Sequence, residues 1–369
     1  MERASARALE SPSSPQRIGR RQGLKARDVR YARQVRFAGI GEDGQTRLMT
    51  GHAAIVGVGA LGCVIANHLA RAGVGKLTLV DRDIVDRSNL QRQMLYDEAD
   101  AESETPKAIT AASRLTAINS GIEVIPRVTD LNAFNVETML ASTDIVLDGT
   151  DNFSARYLLN EFSVKSGIPW IYGGAVGASG MTMTIVPGTT PCLRCLFPEP
   201  PGGGTLDTCE TTGVLSPIVD TIGSAQAMEA IKLLSGRSET LHGSLLQIDL
   251  WRQQWHSLGV AGARRVDCPV CAERRFDILD GEAGFETATA SLCGRNTVQV
   301  LPPRPLSLDL RSLESRLGHA GQTELTPYSL RLRLPSGIAF LLFPDGRALV
   351  MGTEDDQTAR RIYAEFLGE

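Results

Sequence analysis

His52-Ala-Ala-Ile-Val56 is a short apolar run that breaks at Gly57-Val-Gly-Ala-Leu-Gly62 and gives way, from Val64 to Gly73, to helix-forming residues with apolar positions at helical spacing. The order is strand, glycine turn, helix. Lys76-Leu-Thr-Leu-Val80 reads as a second strand ending at Asp81, and Ile122–Ile125 and Asp144–Leu147 as further buried strands with helical stretches between them. Past Asn152 the pattern predicts a helix through Arg156 to Lys165, then strands at Trp170–Tyr172 and Met181–Val186. Pro191 to Thr212 is dense in Pro, Gly, Thr and Cys and reads as loop. Ile222, Ala225, Met228, Ile231 and Leu234 mark a long helix over about Ser216–Leu234. Alternation of strand and helix predicts an α/β fold with a doubly wound, mostly parallel, Rossmann-like sheet.

An acidic stretch bearing Ala and Gly, residues 276–290, reads as a linker. Beyond it, Ser329–Leu334, Ile338–Phe343 and Ala348–Met351 read as short strands and Asp356–Leu367 as a closing helix, which predicts a small α+β domain over residues 291–369. Residues 1–26, rich in Ser, Pro and Arg with no apolar core segment, read as a flexible arm and not a signal peptide. The main unit is then 27–275.

Composition narrows the function classes. With 42% hydrophobic and 22% charged residues the chain has the balance of an ordinary folded protein, and a net charge of -4 gives no reason to expect nucleic acid or a membrane surface as partner. No run is apolar enough to span a bilayer. Four of the seven cysteines form the pairs Cys192-Leu-Arg-Cys195 and Cys268-Pro-Val-Cys271, which favours a metal over disulfides and a reducing, cytoplasmic setting. Together they match a structural Cys₄ zinc site, although the long stretch between the pairs is unlike a compact ribbon. The five histidines are scattered without metal or triad spacing.

In Gly57-x-Gly59-x-x-Gly62 the glycines permit a tight turn and let backbone N–H groups approach a phosphate at a helix N-terminus. Acidic Asp81, at the end of the next strand, is placed to bind ribose hydroxyls. A turn without ligand is the plain alternative, and NAD would use the same turn. The polar segment Asp83-Ile-Val-Asp-Arg-Ser88-Asn89-Leu-Gln-Arg92-Gln93 carries a guanidinium able to pair with a phosphate. Thr105-Pro106-Lys107 places a candidate N-cap, a proline in the first turn and a lysine just inside it, where the helix dipole disfavours a cation unless an anion is present. Asp151, in Asp148-Gly-Thr-Asp151-Asn152, follows a strand end; facing phosphates it requires a divalent ion such as Mg²⁺, whereas the bland reading is that Asp151 and Asn152 cap the next helix. The set fits ATP and Mg²⁺ better than NAD.

These residues resemble the E1-like activating enzymes of the molybdopterin-synthase and thiamine sulfur-carrier type, relatives of the ubiquitin-activating enzymes. The resemblance runs from about Arg30 to Cys271 through Arg30-Tyr-Ala-Arg33-Gln34, the glycine turn, Ala72-Gly-Val-Gly75, Leu77–Asp81, Ser88–Gln93, Pro106-Lys107, Asp151-Asn152 and Gly223–Lys232. It implies adenylation of the C-terminal Gly-Gly carboxylate of a ubiquitin-like sulfur carrier by ATP, in a homodimer, with pyrophosphate released and a sulfur donor such as a cysteine desulfurase acting afterwards. Asp81 would hold the ribose, Arg92 and Lys107 the triphosphate, and Asp151 the Mg²⁺, with Asp83 assisting the metal and Arg156 orienting the phosphate side. Ala60 and Asn89 would lie beside the nucleotide, and Arg33 would reach across the dimer to the partner's site. Zinc is implied at Cys192, Cys195, Cys268 and Cys271, all four ligands being protein and the site therefore structural. Cys209 matches the loop cysteine that some relatives use for a covalent link or persulfide, and Cys293 is a candidate for carrier docking or sulfur relay.

The tail is short for a rhodanese and lacks its cysteine-centred loop, so a rhodanese is rejected. Ser88–Gln93 and the surroundings of Cys209 lie somewhat nearer the molybdopterin type, though thiamine-type relatives share them almost equally. Two competing readings are a carrier-binding scaffold that does not turn over ATP and an NAD(P)-dependent oxidoreductase; no hydride-site constellation is visible for the second.

Overall fold

The computed structural model describes residues 29–199, 212–281, 289–292, 296–302, 304 and 306–368. The expected arm, Cys209 and Cys293 lie outside the described residues.

β1 (His52–Val56) is buried along its whole length, and its alternate residues face opposite ways: Ala53 and Ile55 enter one apolar cluster, Ala54 and Val56 another. β4 (Ile145–Asp148) divides likewise, with Ile145 and Leu147 on the first side and Val146 on the second. Strands buried on both faces need helices on both faces. The first side is covered by the helices Ala60–Ala72, Lys107–Ile118 and Ser216–Leu234, the second by Phe153–Ser166, whose Leu158, Leu159 and Phe162 fill it. Each such Leu or Phe contributes roughly 1.5–3 kcal/mol on burial.

With β2 (Lys76–Asp81), β3 (Glu123–Val128), β5 (Trp170–Val176), β6 (Ser179–Ile185), β7 (Ser244–Asp249) and β8 (Gln254–Gly259) these strands form one sheet of eight, ordered β3-β2-β1-β4-β5-β6-β7-β8. Pairing is parallel from β3 to β5 and antiparallel from β5 to β8. The sheet is thus doubly wound and mostly parallel, as the alternation implied, with an antiparallel extension that the sequence pattern did not reveal. The β7–β8 hairpin escaped it because β8 is exposed along its whole length and has no apolar face to betray it.

The glycine turn is held at the middle of the sheet. Gly57 N–H donates to Val80 O at 2.8 Å, and Gly149 N–H to Val56 O at 2.8 Å, so the carboxyl ends of β1, β2 and β4 meet there. Gly57 has φ +81°, in the left-handed region. A Cβ on Gly62 would stand 1.9 Å from Gly57 O, and one on Gly149 2.2 Å from the same oxygen.

A second sheet of six antiparallel strands closes the chain: β9 (Thr289–Leu292), β10 (Thr297–Val300), β11 (Gln322–Leu325), β12 (Leu330–Arg333), β13 (Ala339–Leu342) and β14 (Ala348–Met351), ordered β11-β12-β13-β14-β10-β9. Its helices are Leu310–Leu317 and Asp356–Leu367. Phe340, Leu342, Ala348 and Val350 pack beneath these helices, while Leu341, Phe343 and Leu349 point the other way and pack with Ile84 and Val128 of the first unit. Thr129 Oγ1 donates to Asp345 Oδ2 at 3.2 Å, and Arg331 pairs with Glu104, across the same contact.

Two expectations need correction. Phe276 and Leu279 are buried in the core of the first unit, and Glu161 accepts the N–H groups of Ile278 and Leu279 at 3.0 and 2.9 Å. β9 already belongs to the second sheet, so the expected linker 276–290 is taken up at both ends. Thr105 is not an N-cap: the helix begins at Lys107 with Pro106 before it, and Ile84 bridges to Pro106, pulling Thr105 into a strand-like pairing. Among the described residues no helix is long and apolar enough to cross a membrane.

The backbone contact at Gly62 makes a direct prediction. Gly62→Ala is expected to destabilise the protein by roughly 2–3 kcal/mol, read as a lowered denaturation midpoint in urea with an unchanged slope; an unshifted midpoint would show that the turn can relax.

Candidate active site

The carboxyl ends of β1, β2 and β4 surround a cavity of about 900 Å³. It lies where the chain leaves β1 in opposite directions, to β2 on one side and β4 on the other, the place at which open α/β sheets bind ligands. Gly57, Gly59 and Ala60 form its floor, and the Ala60–Ala72 helix opens onto it with no side-chain cap, leaving its positive end for an anion.

Asp81 is buried at the end of β2 and accepts from Val58 N–H at 2.6 Å and Asp83 N–H at 2.7 Å. Burial pushes its carboxyl up, against the pull of Lys107. Lys107 is itself buried, its Nζ 3.2 Å from Asp83 Oδ2, and its N–H donates to Asp83 O at 2.8 Å. Arg92 is half-buried and donates to Ser88 O at 3.0 Å, Ser88 is exposed, and Asn89 is buried beside it. Asp151 is exposed at the rim. Asp81, Asp83, Arg92, Lys107, Asp151, Asn152 and Arg156 all line this one cavity.

Asn152 is also a helix cap, as the bland reading had it, since its side chain accepts from Ser154 N–H at 2.9 Å at the start of the Phe153–Ser166 helix. Arg156 is buried with its fork committed, Nε to Asp148 Oδ2 at 2.9 Å and Nη2 to Thr150 O at 2.8 Å and Gly173 O at 2.9 Å. Burial works against this charge, and the Asp148 carboxylate outweighs it and raises Arg156 above its ordinary value. The geometry makes Arg156 a brace between the ends of β4 and β5, standing over the rings of Phe153 and Tyr172. Arg33 is exposed and does not line the cavity of its own chain. Cys63, next to the turn, is fully buried, and burial pushes its thiol up to about 12, so it packs as a small apolar group.

From the glycine turn the cavity continues over Gly174-Ala-Val-Gly-Ala-Ser-Gly180, which carries nothing larger than valine, to Asp249, Trp251 and Arg252 at the β7–β8 turn.

Four residues that matter here had no assignment in the sequence. Arg82 donates to Asp130 at 3.0 Å; burial opposes its charge, but Asp130, Asp83 and Asp151 raise it. Gln93 lines the cavity with a buried Oε1 that has no hydrogen-bond partner among the described residues. Gln226, fully buried, donates to Asp148 O at 2.8 Å and ties the Ser216–Leu234 helix to β4. Arg82 and Asp130 were findable as residues just past the strand ends that bear Asp81 and Val128; Gln226 left no local signal, since one glutamine on an apolar helix looks like surface.

Away from the cavity, Cys192, Cys195, Cys268 and Cys271 bring their sulfurs within 4.8 Å of one another. Three of the separations are 3.9, 3.6 and 3.4 Å, against the spacing of about 3.8 Å that tetrahedral thiolates take at 2.3 Å from zinc. Burial and the neighbouring thiols push Cys271 up to about 11, whereas backbone N–H groups of Cys271 and Val270 hold Cys268 down in spite of its burial. Such a set could bind zinc, since several buried thiolates are tenable only around a cation.

Residues 31–270, the whole of the first sheet and three of the four paired cysteines, match the ThiF family. The chain belongs to the ThiF family. Among its relatives is the sulfur carrier protein ThiS adenylyltransferase of Bacillus subtilis, 42% identical over 340 residues, which are 92% of this chain and 99% of that protein. The SAMP-activating enzyme E1 of Haloferax volcanii is 40% identical over 71% of this chain and 96% of its own length. The adenylyltransferase and sulfurtransferase MOCS3 of Sus scrofa is 39% identical over 74% of this chain and 60% of its own length. Among solved structures, E. coli MccB shares the fold, with a TM-score of 0.58 at 22% identity, over 67% of this chain and 75% of that one. The relatives' names place this ThiF-family chain among adenylyltransferases, enzymes that transfer a nucleotidyl group from ATP.

In this ThiF-family fold the brace at Arg156 is open to test. Arg156→Met, by leaving the Asp148 carboxylate buried without its cation, is expected to cost roughly 3–5 kcal/mol, measured by urea unfolding; a loss below about 1 kcal/mol would mean that the pair behaves as a surface ion pair.

Proposed function

We propose that the protein adenylates the C-terminal carboxylate of a small ubiquitin-like sulfur carrier of the ThiS type, ending in Gly-Gly, in the cytoplasm. The observation that carries this reading is the 42% identity to the B. subtilis ThiS adenylyltransferase across 99% of that protein. The match extends well past residue 270 into the small domain, and it turns the pathway toward thiamine, against the slight lean of Ser88–Gln93 toward the molybdopterin type.

In the proposed reaction a carboxylate oxygen of the carrier attacks the α-phosphorus of ATP. The bond from that phosphorus to the bridging oxygen breaks, and pyrophosphate leaves. A carboxylate needs no general base, so catalysis rests on positioning and charge neutralisation. Asp81 would accept the ribose hydroxyls, the positive end of the Ala60–Ala72 helix and Arg92 would meet the phosphates, and Lys107 would turn to them from Asp83. Asp151, with Asp83 nearby, would hold Mg²⁺, which spreads the charge of the departing pyrophosphate. The small residues of Gly174–Gly180 would let the backbone of a glycine tail approach this part of the cavity closely. The adenylate is then open to a sulfur donor such as a cysteine desulfurase, with Cys209 a candidate to handle sulfur or acyl groups.

Arg33 would serve the partner's site in a homodimer; its exposure, with exposed Val29 and Phe37 on either side of it in the chain, supports that role. The four cysteines would hold one structural zinc, with no position left for substrate.

Pyrophosphate exchange into ATP, run with a panel of Gly-Gly-ended carriers, is expected to require a ThiS-type carrier and to fall by about 10² or more in Asp151→Ala and Arg92→Ala. Carrier bound without exchange would favour the scaffold reading instead. Metal analysis of the full chain should find one zinc per chain; Cys268→Ser should lose it along with several degrees of Tm, and a metal-free wild type of equal stability would remove zinc from the account.

A further inference from the structure

The wall of the cavity formed by Arg82, Asp83, Thr129 and Asp130 is backed by the β13–β14 hairpin of the small domain. The hairpin's turn is fixed in place. Phe343 N–H donates to Arg347 O at 2.9 Å, Asp345 accepts from Arg347 N–H at 3.1 Å, and the other oxygen of Asp345 accepts from Thr129 at 3.2 Å. Phe343 is fully buried against Ile84, which directly follows Asp83 and stands three residues after Asp81.

Arg347 on this turn is unusual. It is 1% exposed, its guanidinium lies 3.6 Å from the centroid of the Phe343 ring, and among the described residues none of its three side-chain nitrogens has a hydrogen-bond partner. A buried guanidinium without hydrogen bonds is costly, and an apolar side chain of similar length would pack the same space with less penalty. What the guanidinium supplies there is charge. Burial pulls Arg347 below its ordinary value, Arg82 adds to that, and the charges of Asp345, Asp83 and Asp130 offset part of it.

The wall has a charge problem that Arg347 addresses. Asp81, Asp83 and Asp130 stand close together, and in the structure Lys107 sits on Asp83. On the adenylation reading, on which this inference rests, Lys107 is drawn toward the triphosphate. The cations left at the wall are then Arg82, 3.0 Å from Asp130 and 3.9 Å from Asp83, and Arg347 behind them.

We propose that Arg347 is a positioning residue for the nucleotide site: carried on the small domain, it supplies from behind the wall the positive charge that keeps Asp83 and Asp130 in place when Lys107 turns to the phosphates. The small domain is thereby a working part of the nucleotide site.

The test is calorimetric binding of MgATP to the full chain, with thermal melts, for wild type, Arg347→Met and Arg347→Lys. Arg347→Met should weaken MgATP by roughly tenfold, the low end of what residues behind a ligand set contribute, while its Tm stays level or rises. Arg347→Lys, keeping the charge, should recover most of the affinity. A lowered Tm or failure to fold in Arg347→Met, or unchanged MgATP affinity, would overturn the proposal in favour of a packing role. Absence of MgATP binding in wild type would instead remove the adenylation reading, and this inference with it.

Discussion

Three glycines from separate parts of the chain meet at one carbonyl oxygen, and the remainder of the site is arranged around that contact. Gly57 bends the chain out of β1, while Gly62 on the Ala60–Ala72 helix and Gly149 after β4 approach its oxygen more closely than any Cβ would permit. This lets the helix start directly over the turn and lets β4 lie against it. The cavity follows from the same packing: with β1, β2 and β4 ending at one level, their last side chains and the loops beyond them face a common space.

Charge in that space is balanced in pairs. Lys107 sits with Asp83, Arg82 with Asp130, Arg156 with Asp148, while Asp151 remains at the rim. The pairs differ in what they can do. Arg156 is committed to three oxygens and is held by burial. Lys107 has a compact head on a flexible stem, at the first residue of a helix whose dipole it opposes. The same fold therefore combines a guanidinium locked by three hydrogen bonds with an ammonium of adaptable geometry.

Much of the first unit was legible because its strands are buried on both faces and so appear as unbroken apolar runs. The Ser216–Leu234 helix was readable for a related reason, its apolar positions repeating at helical spacing over several turns. The glycine turn, Asp81, Lys107 and Asp151 could be gathered from their places at strand ends and helix starts. What was not legible depends on contacts between distant segments. β8 is an exposed edge strand, and β11, Gln322–Leu325, alternates exposed and half-buried residues too briefly to stand out. The strand-like pairing of Ile84 with Pro106, which displaced Thr105 from the cap position, joins residues whose local sequence suggests only turn and helix start. That Arg347 lies behind the cavity wall could not be read from a chain in which it follows Asp345-Gly346 in an ordinary hairpin turn.

The cysteine cluster joins positions 76 apart in sequence, such as Cys192 and Cys268. Between them lie the long helix and the whole β7–β8 hairpin, so the cluster closes a long loop of chain at one point. Loop-closure entropy grows slowly with length, about 0.6 kcal/mol for each doubling. The segment that leaves Cys195 can therefore be lengthened or shortened in evolution at small thermodynamic cost, while the sulfurs keep the last strands registered against the sheet.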